Sequence, residues 1–167
     1  MALGAALALK AQGKQAVVIA YIRKDELSAT VYRRILKPAA ANELPIIFVV
    51  LPRAGNPRPS DSEPAISRVA GRSGVPGIPV DACDSVALYR VAQESFGRTR
   101  GGDGPVLIEC IRWKLSGARI AASPADPIEH LAQFMTGRRI STPAWFKQVE
   151  VTAGKRLKGR RKASKKA

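Results

Sequence analysis

Histidine is almost absent from this chain: one residue, His130, among 167. That excludes a metal centre built from several imidazoles. Cysteine is nearly as rare. Cys83 and Cys110 stand far apart with no metal-like neighbours, so the sequence predicts two free thiols, with Cys110 in the core. No disulfide framework can be built from them, which suits a reducing, cytoplasmic setting. Long apolar runs are missing too, so no segment reads as a membrane span. The opening MALGAALALK is ended by Lys10 and has no basic start, which favours a helix over a secretory signal. Acids are the last scarcity: 13 Asp and Glu face 28 Lys and Arg, for a net charge of +15. Residues 155–167, KRLKGRRKASKKA, hold eight of those cations and no acid, so about half the excess sits in a terminal tail.

What is present reads as one α/β body over residues 1–154, followed by a disordered basic tail, 155–167. Residues 2–12 favour helix and stop at Gly13. VVIAYI (17–22), IIFVVL (46–51) and VLIECIRWKL (106–115) are runs expected of strands covered on both faces. A helix is expected from Asp25 to Asn42, weakened by Pro38 near its end. Residues 52–64 hold four prolines and read as loop. A short helix at 64–72, a weak strand at Ile78–Val80, and a turn at Asp81–Asp84 follow. Asp84 caps a helix from Ser85 to about Arg100. Asp126-Pro127 and Thr142-Pro143 open two more helices. Alternating strands and helices imply a parallel sheet with helices on both faces, a three-layer α/β fold. Ligands in such sheets bind at the carboxyl ends of strands, which points to the loops after Ile22, Leu51 and Leu115.

The segments GAALALKAQGKQAVVIAYI, NELPIIFVV, GIPVDACDSVALYRVAQESFGRTRGGDGPVLIECIRWKLSG and DPIEHLAQF, in this order, closely resemble the thiamine-diphosphate-dependent 2-oxo acid dehydrogenases. The match is to the alpha subunit of their E1 component, and it runs through most of residues 4–140. It implies the thiamine-diphosphate-binding fold, truncated at the N-terminus so that the chain corresponds to the C-terminal half of the subunit. It also implies thiamine diphosphate with Mg²⁺, oxidative decarboxylation of a 2-oxo acid, and an E1 beta-like or other E1 partner. A homo-oligomer is expected because a half-domain sheet leaves an edge or helix face uncovered.

The family carries a GDG motif after the first of these strands and an asparagine pair after the second, which ligate Mg²⁺ through oxygen. In register, GDG falls on Arg23-Lys24-Asp25 and the asparagine pair on Pro52-Arg53. A family histidine near the cofactor phosphates falls on Ala118. The resemblance therefore implies a degenerate cofactor site. The expectation drawn from it is that no cofactor or metal binds, no residue is catalytic, and the isolated chain is inactive. It would then serve as a non-catalytic, regulatory or split subunit, or as a decarboxylase completed by a partner chain.

A different function for the same edge is an anion site made by Arg23, Lys24, Arg53 and Arg119, since guanidinium groups hold phosphate bidentately. The tail offers a second, salt-dependent polyanion site. It has no aromatic residue for base stacking, so a nucleic-acid partner is the weaker reading. Asp25 and Glu26 are expected at a helix N-terminus, where they suit the dipole. Glu109 is the one acid inside a buried strand, and either pairs with a neighbouring Arg or faces the sheet edge. Gly101–Gly104 reads as a turn rather than a phosphate loop. His130, Trp113, Trp145 and Phe146 read as packing or surface.

Overall fold

The structure is a computed structural model that describes residues 1–53, 65–111 and 126–164. Residues Met1–Ala122 form one compact unit and Ser123–Ala167 another.

The first unit is a parallel four-stranded sheet in the order β1-β2-β4-β3. Its strands are β1 (Val18–Arg23), β2 (Ile46–Leu51), β3 (Gly77–Asp81) and β4 (Val106–Ile111). β2 and β4 are the inner strands, and β4 is buried along its whole length. Alternate residues sort onto two faces. Val18, Ala20 and Ile22 of β1 join Ile46, Phe48 and Val50 of β2 and Leu107 of β4 in one apolar cluster. α1 (Ala2–Ala11), α2 (Ala29–Ala41) and α3 (Ala65–Gly71) cover this cluster through Ala6, Tyr32, Leu36, Ala39, Ile66 and Ala70. On the other face Ile47, Val80, Val106, Ile108 and Cys110 pack under α4 (Ser85–Gly101), against Ala87, Leu88, Val91 and Phe96. The expected three-layer α/β architecture is the one found.

Local chemistry explains most boundaries. α1 ends where Gly13 takes a left-handed φ of 64°. Lys10, in its last turn, reaches the end of α2 and donates to the Asn42 carbonyl at 2.7 Å, satisfying an acceptor that the helix leaves open. α4 starts at Asp84, whose Oδ1 accepts from the Val86 and Ala87 amides at 3.0 and 2.9 Å. It stops at Gly102, with φ 96°.

One expectation fails at a helix end. α2 starts after Ser28, whose hydroxyl accepts from the Val31 amide, and not at Asp25. Asp25 and Glu26 lie in a preceding turn and serve Arg23, so they carry no N-terminal role for α2. Of the 106–115 strand, the part within the described residues ends at Ile111.

The second unit holds α5 (Pro127–Gly137) and α6 (Pro143–Ser164). Asp126 caps α5 through Oδ1, which accepts from the Ile128 amide at 2.7 Å. The tail expected to be disordered from residue 155 is helical as far as Ser164. Its Lys, Arg and Ala residues are strong helix formers, and that propensity carries the helix on through the charge run. Among the described residues no helix is long and apolar enough to cross a membrane.

Candidate functional site at the carboxyl end of the sheet

Strand register brings the site together. β1 delivers Arg23 opposite Leu51, and the Lys24 amide donates to the Leu51 carbonyl at 2.9 Å. One strand further on, Glu109 of β4 lies opposite Val50 on one side and Pro79 on the other. Because the side chains of a strand alternate, Glu109 points to the α1–α3 face, as Leu107 does. It is completely buried. A carboxylate removed from water in this way needs a countercharge and hydrogen bonds. Both are supplied. Lys24 Nζ lies 3.4 Å from Oε1, and the lysine side chain is only 14% exposed. Oε2 accepts from the Ser67 amide at 2.7 Å and the Ser67 hydroxyl at 2.8 Å.

Ser67 is placed by a close approach of α3 to β3. A Cβ on Gly77 would fall 2.7 Å from Ser67 Cα and closer still to its carbonyl oxygen, so only glycine lets the two backbones meet. Tyr32 of α2, buried on the same face, is affected by the charge of Glu109. Its hydroxyl is buried and has no hydrogen-bond partner among the described residues. Burial, and then the charges of Glu109, Glu26 and Asp25, push its ionisation up to about 12. The neighbouring Cys110 thiol is pushed up as well, first by burial and then by Glu109.

The sequence-derived candidates distribute unevenly around this cluster. Arg23 is half exposed and paired with carboxylates, 3.3 Å from Glu26 and 3.8 Å from Asp25; its amide donates to Glu26 at 3.0 Å. Lys24 is turned into the Glu109 pair. Pro52 and Arg53 follow β2 directly, and Arg53 is partly buried. Ala118, Arg119 and Trp113 lie outside the described residues. Positive charge at the β1 end is thus met by carboxylates rather than gathered toward a free anion. Glu109 takes neither role expected of it: its partner is a lysine, and it stands in an inner strand. Ser67 and Tyr32 carried no sequence signal of their own. The lone acid in an apolar strand was the signal that a buried partner had to exist. His130 is half-buried on α5, and Trp145 and Phe146 stack edge-on, 5.1 Å between ring centres, on α6.

The residues at the first two strand ends do not fit a divalent cation. The position of the expected acidic ligand holds an ammonium committed to Glu109, and the position of the expected asparagine holds Pro52, which has no side-chain donor.

Residues 1–119 match the model of the family described as Dehydrogenase E1 component. The chain is 34% identical over 135 residues to the pyruvate dehydrogenase E1 component subunit alpha of Staphylococcus aureus, covering 77% of this chain and 35% of that protein. It is 29% identical over 142 residues to the alpha subunit of acetoin:2,6-dichlorophenolindophenol oxidoreductase of Bacillus subtilis, covering 80% of this chain and 43% of that protein. Among solved structures it resembles one from Mycobacterium smegmatis assigned as a thiamin diphosphate-dependent enzyme. The TM-score is 0.51 at 24% identity, over 68% of this chain and 21% of that one. The aligned part of the chain covers only 35% and 43% of these curated relatives. These matches correct one expectation outright. The expectation that no cofactor is involved is overturned, since the matches are to dehydrogenase E1 components and the solved structure that the chain resembles is that of a thiamin diphosphate-dependent enzyme. Among the described residues, the positions that do not fit are those at the β1 and β2 ends. With its family model matched over most of its length and its sheet of the same kind, the chain belongs to the dehydrogenase E1 component family.

Proposed function

We propose that this chain is a non-autonomous part of an E1 alpha-type unit in thiamine-diphosphate-dependent oxidative decarboxylation of a 2-oxo acid. In this reading the ligands for a divalent ion come from a partner chain, and the isolated protein does not decarboxylate. The single observation that supports it is the 3.4 Å Lys24–Glu109 pair at the strand end where the metal-binding acid is expected. A fixed ammonium there opposes a divalent ion, while the rest of the fold keeps the E1 form.

The partner is taken to be an E1 beta-like chain, since the relatives are named as alpha subunits. Association is further supported by Tyr21 and Ile19 on β1, 66% and 39% exposed at a sheet edge. The test is 2-oxo-acid-dependent reduction of an artificial electron acceptor with Mg²⁺ and thiamine diphosphate, with and without an E1 beta-type partner. The expected result is turnover only in the mixture. Turnover by the chain alone would overturn the reading. Silence in both arms would favour a regulatory, non-catalytic subunit, a role also compatible with the balanced charges around Arg23.

The anion-binding alternative has, besides the strand-end loops, a second location at the basic end of α6. Salt-dependent polyanion binding that survives deletion of residues 155–167 would remove it.

A further inference from the structure

The two oxygens of Glu109 are treated differently. Oε2 is saturated by the two Ser67 donors at 2.7 and 2.8 Å. Among the described residues Oε1 accepts no hydrogen bond, and it faces Lys24 Nζ at 3.4 Å, as an ion does a cation rather than as an acceptor does an aimed donor. A carboxylate oxygen left without a donor beside a positive centre is what a hard cation asks for, and here the centre is an ammonium.

We propose that the β1 end is a cation site whose cation is built into the chain: Lys24 Nζ occupies, against Glu109 Oε1, the place of a divalent ion, and thereby excludes one. The pair is a specificity device that makes this strand end independent of metal. A consequence follows from side-chain length. An aspartate is three methylenes shorter than the lysine stem, so its carboxylate would stop roughly 3 Å short of the present Nζ position. That leaves room beside Glu109 for an ion that binds through one or two carboxylates and keeps several waters, as Mg²⁺ and Mn²⁺ do. The inference concerns the cation preference of the chain and does not depend on turnover with a partner.

The experiment is Mn²⁺ binding, followed by electron paramagnetic resonance and by thermal shift, on the full chain without thiamine diphosphate. Four proteins are compared: the parent, Lys24→Asp, Glu109→Gln, and the double variant. The expected result is that Lys24→Asp binds Mn²⁺ at least about tenfold tighter than the parent, with a metal-dependent rise in Tm. The double variant should lose that gain. Three outcomes overturn the proposal: a parent whose Mn²⁺ binding is abolished by Glu109→Gln, a folded Lys24→Asp protein with no gain, or a gain that persists without Glu109. Should Lys24→Asp fail to fold in buffer, refolding with and without Mn²⁺ decides. Recovery only with the ion supports the built-in cation, and failure in both conditions overturns it.

Discussion

The two faces of the sheet solve opposite problems. The face under α1, α2 and α3 is sealed, and yet it carries a completely buried carboxylate, Glu109, with Lys24 and Ser67 arranged around it. Among the described residues the face under α4 buries no charged side chain, and yet it is incompletely covered: α4 packs on β2, β3 and β4, while Ile19 and Tyr21 of β1 stand exposed. A polar group is tolerated where every atom around it can be organised. Apolar side chains are left open where further protein can cover them. The sealed face is thus the one committed to internal structure, and the open face is the one available to a partner.

Breaking the sealed face should cost the most. Lys24→Met leaves Glu109 buried with its Ser67 bonds but no countercharge, and about 3–5 kcal/mol of unfolding free energy should be lost in urea titrations. Replacing both partners by apolar residues should cost far less than that single change, since the cost arises from the orphaned charge. Recovery in such a double variant would locate the effect in the pair. Equal losses in both would mean that the lysine acts mainly through packing of its stem.

Gly77 tests the same face from below. Gly77→Ala forces α3 away from β3 at Ser67, and overpacking of this kind costs about 1–3 kcal/mol. Since Ser67 supplies both hydrogen bonds to Oε2, the variant should also weaken the hold on Glu109. A double-mutant cycle with Ser67→Ala should therefore show coupling, whereas additive effects would mean that α3 moves without disturbing the carboxylate.

Alkali should erode the sealed face selectively. Tyr32 ionises near its ordinary 10.0 in the unfolded chain and at about 12 when folded. Its raised value means that its contribution is whole below pH 10 and is lost as pH climbs toward 12. The loss is at most roughly 2–3 kcal/mol. Tyr32→Phe keeps the ring and removes the titration, so the variant should hold its urea midpoint better than the parent between pH 10 and 12. Parallel declines would show that this hydroxyl is not what alkali attacks.

How much of this could be read beforehand differs between the fold and the site. β1 and β2 were visible as strands from the runs VVIAYI and IIFVVL, but the cover expected on both faces holds for β2 and fails for β1, whose Ile19 and Tyr21 are exposed at the sheet edge. Asp84 and Asp126 were visible as caps because capping is local chemistry. The start of α2 was misread because Asp25 and Glu26 looked like first-turn acids, when their charges answer Arg23. The basic tail was misread by weighing charge above helix propensity. At the site, the register alone put Lys24 where an acid was expected. Its partner was hidden, since the pairing depends on one side chain reaching past β2 to β4. The Ser67 bonds depend on a glycine contact that no spacing rule encodes.

The open face provides the smallest expected effect on stability and the sharpest contrast with the sealed one. Tyr21 at 66% exposure and Ile19 at 39% contribute little to the monomer core, so Ile19→Ser and Tyr21→Ser should each change unfolding free energy by about 0.5 kcal/mol or less. Their effect should appear instead in association. If this edge of the sheet is an interface, light scattering at micromolar concentration should report at least a dimer for the parent and a smaller species for the double variant. The same variant should fail to take up a partner chain that covers β1. A parent that is already monomeric, with partner uptake unaffected by both substitutions, would mean that the uncovered strip is ordinary surface. Loss of association at unchanged stability would instead assign the two faces separate tasks, one holding the fold and the other recruiting what completes it.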